Sequence, residues 1–212
     1  MCEIAHINAR TILANDKHRA IINLANMVKW DDGRAWLQRE LPKALFHPDT
    51  LAKAQATLIA SNQLFEQTNI KKTDRQCLEY AEAFFIVSWM TRAGTAGTDA
   101  ETKGKLCFRW DAGGGDSRKR YDSAIEGLEF WGKQFQRCTF HCLDVWDFLH
   151  KCKQKKGHGI YLDPTFPETG DKYTHTLIDP DEGLTKAERV EAAHRRLAEG
   201  LGKVKENRVV CR

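Results

Sequence analysis

Ile160-Tyr161-Leu162-Asp163-Pro164-Thr165-Phe166-Pro167 is the stretch on which both fold and chemistry turn. With Gly159 in front, its apolar half predicts a buried strand over Gly159–Leu162 that runs directly into a proline-rich turn carrying a carboxylate and an aromatic ring. In open α/β sheets, ligands bind beyond the carboxyl ends of the strands. A turn in that place presents Asp163 and the backbone carbonyl of Pro164 as two hydrogen-bond acceptors, and the Phe166 ring offers a face to a planar ligand. Two acceptors aimed at one amino group, beside a stacking ring, suit an extruded nucleobase with an exocyclic amine.

The surrounding third of the chain alternates as an α/β domain does. Residues 139–143 predict a strand, 145–151 a short helix, 186–201 a helix with Val190, Ala193, Leu197 and Leu201 in register, and 208–211 another strand. Short connections between such elements imply a mainly parallel sheet with right-handed crossovers. Near the other end, Thr11-Ile12-Leu13-Ala14 is a β-favouring run cut by Asn15-Asp16, after which Ile21, Leu24 and Val28 recur at helical spacing.

Between these ends the texture is different. Residues 50–67 carry Leu51, Leu58 and Phe65 on one stripe after a Pro48-Asp49-Thr50 start, and 73–90 predict a second helix burying Cys77, Ala81, Phe84 and Ser88. These two helices are expected to pack on each other. Residues 92–120 interleave Gly94, Gly97, Gly104 and Gly113-Gly114-Gly115 with basic and aromatic side chains. A loop region of this length is uncommon in a compact domain and usually functional. Ser123-Ala124-Ile125-Glu126 has capping-box form, and Ile125, Leu128, Trp131 and Phe135 continue a helical stripe.

Composition narrows the classes. The 212 residues carry 33 Lys+Arg against 29 Asp+Glu, a formal charge of +4, and 42% hydrophobic residues. A soluble chain of this size buries roughly 70% of its unfolded surface, so it supports a core without disulfides, and global disorder is excluded. The longest apolar run, Ala83-Phe84-Phe85-Ile86-Val87, is far short of the roughly 18 to 20 residues that span a membrane. Met1-Cys2-Glu3-Ile4-Ala5-His6 does not read as a secretory signal, so a cytoplasmic protein is the expectation. Seven dispersed cysteines, at 2, 77, 107, 138, 142, 152 and 211, suit reduced thiols. Cys138, His141, Cys142, His150 and Cys152 invite a zinc reading, but Cys138 and Cys142 stand about 13 Å apart on one extended strand, so no metal is expected. Gly113-Gly114-Gly115-Asp116 lacks the leading strand and the Lys-Ser/Thr pair of a phosphate loop. Trp30, Trp36, Trp89, Trp131 and Trp146 read as core or interface rings, since most lie on helical stripes.

Asp163-Pro164-Thr165-Phe166 resembles the Asp-Pro-Pro-Tyr motif of the Dam-like class of adenine-specific DNA methyltransferases. In that class the motif ends a sheet strand, binds the target amino group and stacks the flipped adenine, and S-adenosylmethionine donates the methyl group. Pro167-Glu168-Thr169-Gly170-Asp171-Lys172-Tyr173-Thr174-His175 looks like the motif's usual follow-on, and His194-Arg195-Arg196-Leu197-Ala198 looks like the helix that comes next. Asn15-Asp16 is similar to the second motif of the class, whose acidic residue binds the cofactor's ribose hydroxyls. Taken alone, it is also a helix-start signal. Asp144 is similar in position to a residue that touches the cofactor's adenine. Residues 92–120 fall where the class carries its target-recognition region. The resemblance therefore implies DNA contacts from Arg92, Lys103, Lys105, Arg109, Arg118, Lys119 and Arg120, with replacement of the last three weakening binding similarly across sequences.

Two departures from the class stand out. Thr165 in place of the second proline frees a backbone dihedral and restores an N–H, whereas Phe166 for tyrosine keeps the stacking face. The aromatic-x-Gly-Gly loop that cradles the methionine moiety has no counterpart before Asn15, and Arg212 follows a predicted strand where the class continues. The resemblance thus implies a methyltransferase piece truncated at both ends, binding S-adenosylmethionine weakly or not at all by itself.

The expected architecture is an incomplete Rossmann-like α/β methyltransferase sheet with a helical and loop insertion. Residues 1–30 and 138–212 form its catalytic part and 31–137 the insertion. Asp163, Pro164 and Phe166 are the expected catalytic residues, Asp16 and Asp144 the cofactor residues, and double-stranded DNA the partner. The competing expectation is a non-catalytic DNA-binding remnant, or half of a split enzyme whose second chain supplies the cofactor loop.

Overall fold

Five consecutive apolar residues, 83–87, point in every direction around a helix of period 3.6, so they demand a helix surrounded by others. They lie in the middle of a helix, Asp74–Met90, that buries nine of its side chains. A reciprocal capping box starts it: the Thr73 hydroxyl accepts from Gln76 N–H, and the Gln76 side chain accepts from Thr73 N–H. The structure is a computed structural model and describes residues 9–67, 72–91, 98, 101–107, 116–152, 159–162, 183–202 and 208–211.

The chain divides into two compact units, residues 1–96 with 100–143, and 97–99 with 144–212. In the first unit the described elements are β1 (Ile12–Asn15), α1 (Arg19–Lys29), α2 (Asp31–Glu40), a 3₁₀ turn (Leu41–Lys43), α3 (Pro48–Glu66), α4 (Asp74–Met90), a second 3₁₀ turn (Glu101–Lys103), α5 (Ser117–Glu126), α6 (Leu128–Phe135) and β2 (Cys138–His141). Helices α1, α2, α3 and α5 all pack on α4. Helix α3 docks through a single stripe, Leu51, Ala54 and Leu58, the spacing that keeps side chains on one face. The two strands run parallel, Ile12 opposite Cys138 through to Asn15 opposite His141. Asn15 extends this ladder with its side chain, because the carboxamide donates to Leu143 O and accepts from Leu143 N–H, both at 3.0 Å, as a peptide group does.

The second unit holds α7 (Val145–Lys151), β3 (Gly159–Leu162), α8 (Lys186–Gly202) and β4 (Arg208–Cys211). Strands β3 and β4 pair in parallel, Gly159 opposite Arg208 and Leu162 opposite Cys211. Helix α8 opens with a Thr185/Glu188 capping box and buries Val190, Ala193 and Leu197. The Arg196 guanidinium lies over the Trp146 ring at 4.8 Å, holding α8 to α7.

This architecture corrects the expected fold. Instead of a Rossmann-like α/β sheet there are two separate two-stranded parallel ladders, and the described residues are mostly helical. The individual strands form where the sequence places them. Whether ladders join into one sheet depends on contacts between distant segments, which period-two patterning does not encode. Two local differences have identifiable causes. Helix α2 escapes a periodicity search because it buries only Gly33 and Leu37. The stripe from Ile125 to Phe135 spans two helices, since α5 stops at Gly127, whose N–H reaches back to Ser123 O at 3.0 Å. Trp30 and Trp89, expected as core or interface rings, lie outside the core at 37% and 42% exposure.

A buried cation locks α2 to α6. The Arg34 side chain, 11% exposed, donates to Val28 O, Asp31 and Glu129 at 3.0, 2.7 and 2.9 Å. Gly132 permits this, because a Cβ there would sit 2.4 Å from Arg34 Nη1 and 2.7 Å from Cδ. A free arginine tip steps aside cheaply; one held by three partners does not. Gly132→Ala is therefore expected to destabilise by about 1–3 kcal/mol, outweighing the roughly 1 kcal/mol that alanine gains in a helix. In an Arg34→Ala background the same change should become neutral or stabilising, which urea melts of the four-member cycle will show.

Candidate site at the carboxyl ends of the parallel strands

Asp16 stands immediately after β1. Its N–H continues the ladder to His141 O at 3.2 Å, and its Oδ1 accepts the His18 N–H at 2.7 Å, closing a turn that leads into α1. The carboxylate is half-buried at the carboxyl end of a parallel strand. The helix cap is His18, not Asn15 or Asp16: its Nδ1 accepts from Ile21 N–H at 3.4 Å. A backbone N–H can only donate, so Nδ1 is the bare nitrogen and Nε2 carries the proton. Nε2 thus donates to Glu101 Oε2 at 2.9 Å, with both residues buried and the imidazole tilted against Phe84.

Sequence reasoning missed His18 and Glu101. They lie 83 residues apart, and neither carries a motif of its own. Glu101 also acts on Tyr80, whose hydroxyl is pushed well above the usual tyrosine range, first by burial and then by that carboxylate. The Tyr80 hydroxyl donates to Asn62.

Asp144 belongs to the second unit, where its Oδ1 caps α7 by accepting from Trp146 N–H at 3.1 Å. Asp163, Pro164 and Phe166 lie outside the described residues, as do Arg92 and Arg109. Strand β3 ends at Leu162, the residue before Asp163.

The remaining basic positions divide in two. Lys103 and Lys105 are exposed on the segment 101–107, which is held at four points. Besides the Glu101–His18 contact, Gln55 Nε2 donates to Gly104 O at 2.7 Å, Leu106 bridges Thr91, and Cys107 N–H donates to Met90 O at 2.9 Å. Lys119 and Arg120 are exposed on α5. Arg118 is committed within the protein: it donates to Asp122, to Ala44 O at 2.9 Å and to Pro42 O at 3.1 Å, and it lies over the Tyr121 ring. Arg118→Ala is therefore expected to lower stability by about 1–2 kcal/mol and to change duplex affinity less than Lys119→Ala does. Thermal melts and duplex titrations on the two variants separate these effects.

Burial raises the thiols of Cys77, Cys138, Cys142 and Cys152 above the usual cysteine range, so they remain protonated near neutrality. Two of them have local partners, with Cys138 donating to Gln134 O and Cys142 to Lys17 O. Among the described residues no three His, Cys, Asp or Glu side chains gather where a metal ion could sit. A cavity of about 490 Å³ opens between α1, α4, α5 and α6, lined by Phe85, Trp89, Trp131 and Phe135 with Arg120 at its edge. No described helix is long and apolar enough to cross a membrane.

In comparisons with known proteins, no protein-family model matches the chain, and no curated protein matches it.

Proposed function

We propose that the chain carries the target-amine site of an adenine-specific DNA methyltransferase. The observation that supports this most is the strand β3, which pairs in parallel with β4 and ends one residue before Asp163-Pro164-Thr165-Phe166. A second carboxylate, Asp16, stands in the same relation to β1. Each acidic group thus follows in sequence the last residue of a strand in its own two-stranded parallel ladder.

Asp163 and the Pro164 carbonyl accept hydrogen bonds from the exocyclic amine and orient its lone pair. Phe166 stacks on the extruded ring. S-adenosylmethionine, when bound, would supply an electrophilic methyl group to the oriented amine, with S-adenosylhomocysteine as the leaving group and one amine proton passing to solvent. Positioning two reactants in line can supply about 7–11 kcal/mol of the barrier, so a strongly basic side chain is unnecessary. Asp16 fits a ribose diol, being a half-buried acceptor that the His18 N–H holds in place. Asp144 fits less well, since its Oδ1 already caps α7.

Of the basic positions expected to contact phosphates, Lys103, Lys105, Lys119 and Arg120 are exposed among the described residues. The test is incubation of the chain with labelled S-adenosylmethionine and a mixed-sequence duplex, with N6-methyladenine read by mass spectrometry. Methylated adenine supports the proposal. Duplex binding without methyl transfer favours a non-catalytic DNA-binding protein, a reading that the proline-to-threonine departure at Thr165 also favours.

A further inference from the structure

We propose that Glu101 and His18 form a latch that seats the basic segment 101–107 on the head of α1, directly beside the Asp16 turn. Three observations carry it. The Glu101–His18 contact is buried and 2.9 Å long, whereas among the described residues the other close ion pairs are surface pairs apart from those of Arg34. His18 is committed on three sides: its N–H to Asp16 Oδ1, its Nδ1 to the Ile21 N–H, and its Nε2–H to Glu101. Glu101 opens the 3₁₀ turn that carries Lys103, and Lys105 follows before the chain is pinned again at Leu106 and Cys107.

The chemistry favours a latch over inert packing. Burying a carboxylate is costly unless a donor meets it, and the His18 Nε2–H supplies one at 2.9 Å. The Nε2–H tautomer is imposed from the opposite side by the helix cap, so cap and latch share one ring. Release of Glu101 lets the ring rotate, which removes the cap and loosens the turn that holds Asp16. His18 and Glu101 are positioning residues in this arrangement. The lysines' role in binding duplex rests on the proposed function; the latch itself does not.

The test uses the full chain and the variants Glu101→Ala and Glu101→Gln. Native-state trypsin cleavage after Lys103 and Lys105 is expected to quicken about tenfold or more in Glu101→Ala, as local opening becomes cheaper. Glu101→Gln should stay within about threefold of the parent, because its amide oxygen accepts the same Nε2–H. Long-range ¹⁵N correlation of the imidazole should show Nδ1 bare and Nε2 protonated in the parent and in Glu101→Gln. A parent His18 protonated at Nδ1 overturns the latch without any variant, which covers the case in which Glu101→Ala does not fold. Unchanged cleavage in Glu101→Ala overturns it too, and so does Glu101→Gln behaving like Glu101→Ala.

Affinity for a 20-base-pair duplex at low salt should fall about fivefold or more in Glu101→Ala and be retained in Glu101→Gln. Faster cleavage with unaltered affinity would refute the claim that the latch sets the lysines. A parent chain that binds no duplex refutes the DNA reading, while the cleavage and imidazole results still decide the latch.

Discussion

Asp163→Ala is expected to reduce methyl transfer by about a thousandfold, while the melting temperature stays within a few degrees of the parent. The magnitude follows from what the side chain does: removing one preorganised hydrogen-bonding group at a reacting atom costs about a hundredfold to a thousandfold in other enzymes. Here the group both orients the amine and draws electron density toward its lone pair. Asp163→Asn separates these two roles. The carboxamide keeps an acceptor oxygen of the same reach but can present an N–H to the amine if it flips, so an intermediate loss, of about a hundredfold, is expected. Initial rates with labelled S-adenosylmethionine and a duplex in excess measure both variants. An Asp163→Ala protein that methylates as fast as the parent would remove Asp163 from the site.

The largest expected effect on stability is at Leu58. It is 0% exposed and lies at the end of the three-residue stripe through which α3 meets α4. A buried leucine cut to alanine loses its transfer free energy and leaves a cavity, about 3 kcal/mol together. For a chain of this length that corresponds to a melting point lower by about 6–12 °C. The adjacent residue supplies the control: Ile59, about 100° further round α3 and 43% exposed, should change stability by less than about 0.5 kcal/mol on replacement with alanine. The effect reaches the candidate site as well, because Gln55 on α3 holds the Gly104 carbonyl of the segment bearing Lys103 and Lys105. Leu58→Ala should therefore raise trypsin sensitivity in that segment together with global unfolding, whereas release of Glu101 raises it alone.

Much of the local structure was legible before any contact was known. The runs at 11–14, 139–143, 159–162 and 208–211 become β1 to β4 with boundaries moved by a residue or two, since four apolar or β-branched residues between turn signals leave few alternatives. The helices of the middle region announce themselves equally well: Pro48 and the Thr73 box mark starts, and the stripes that follow supply the buried faces. Helix α2 is the exception, with a single large apolar anchor at Leu37.

The site divides along the same line. Asp16 could be singled out because Asn15-Asp16 before a helix resembles the second motif of the class, and the structure gives it a firm turn; nothing in the sequence points from Glu101 to His18. Arg118 shows the limit from the other side. In a run of three basic residues all look equally available to phosphate, yet only the path of the 41–44 segment past α5 decides that Arg118 faces two carbonyls.

What the sequence by itself determined is the identity and order of most elements, α2 and the break between α5 and α6 excepted, and the acidic residues after two of the strands, because capping, turn chemistry and side-chain period act within a few residues. Only the tertiary structure decided that the strands form two short parallel ladders instead of one sheet, that Arg118 faces two distant carbonyls, and that His18 and Glu101 meet. Each of those outcomes depends on which backbone or side-chain groups from distant segments satisfy one another once buried, and that accounting closes only in three dimensions.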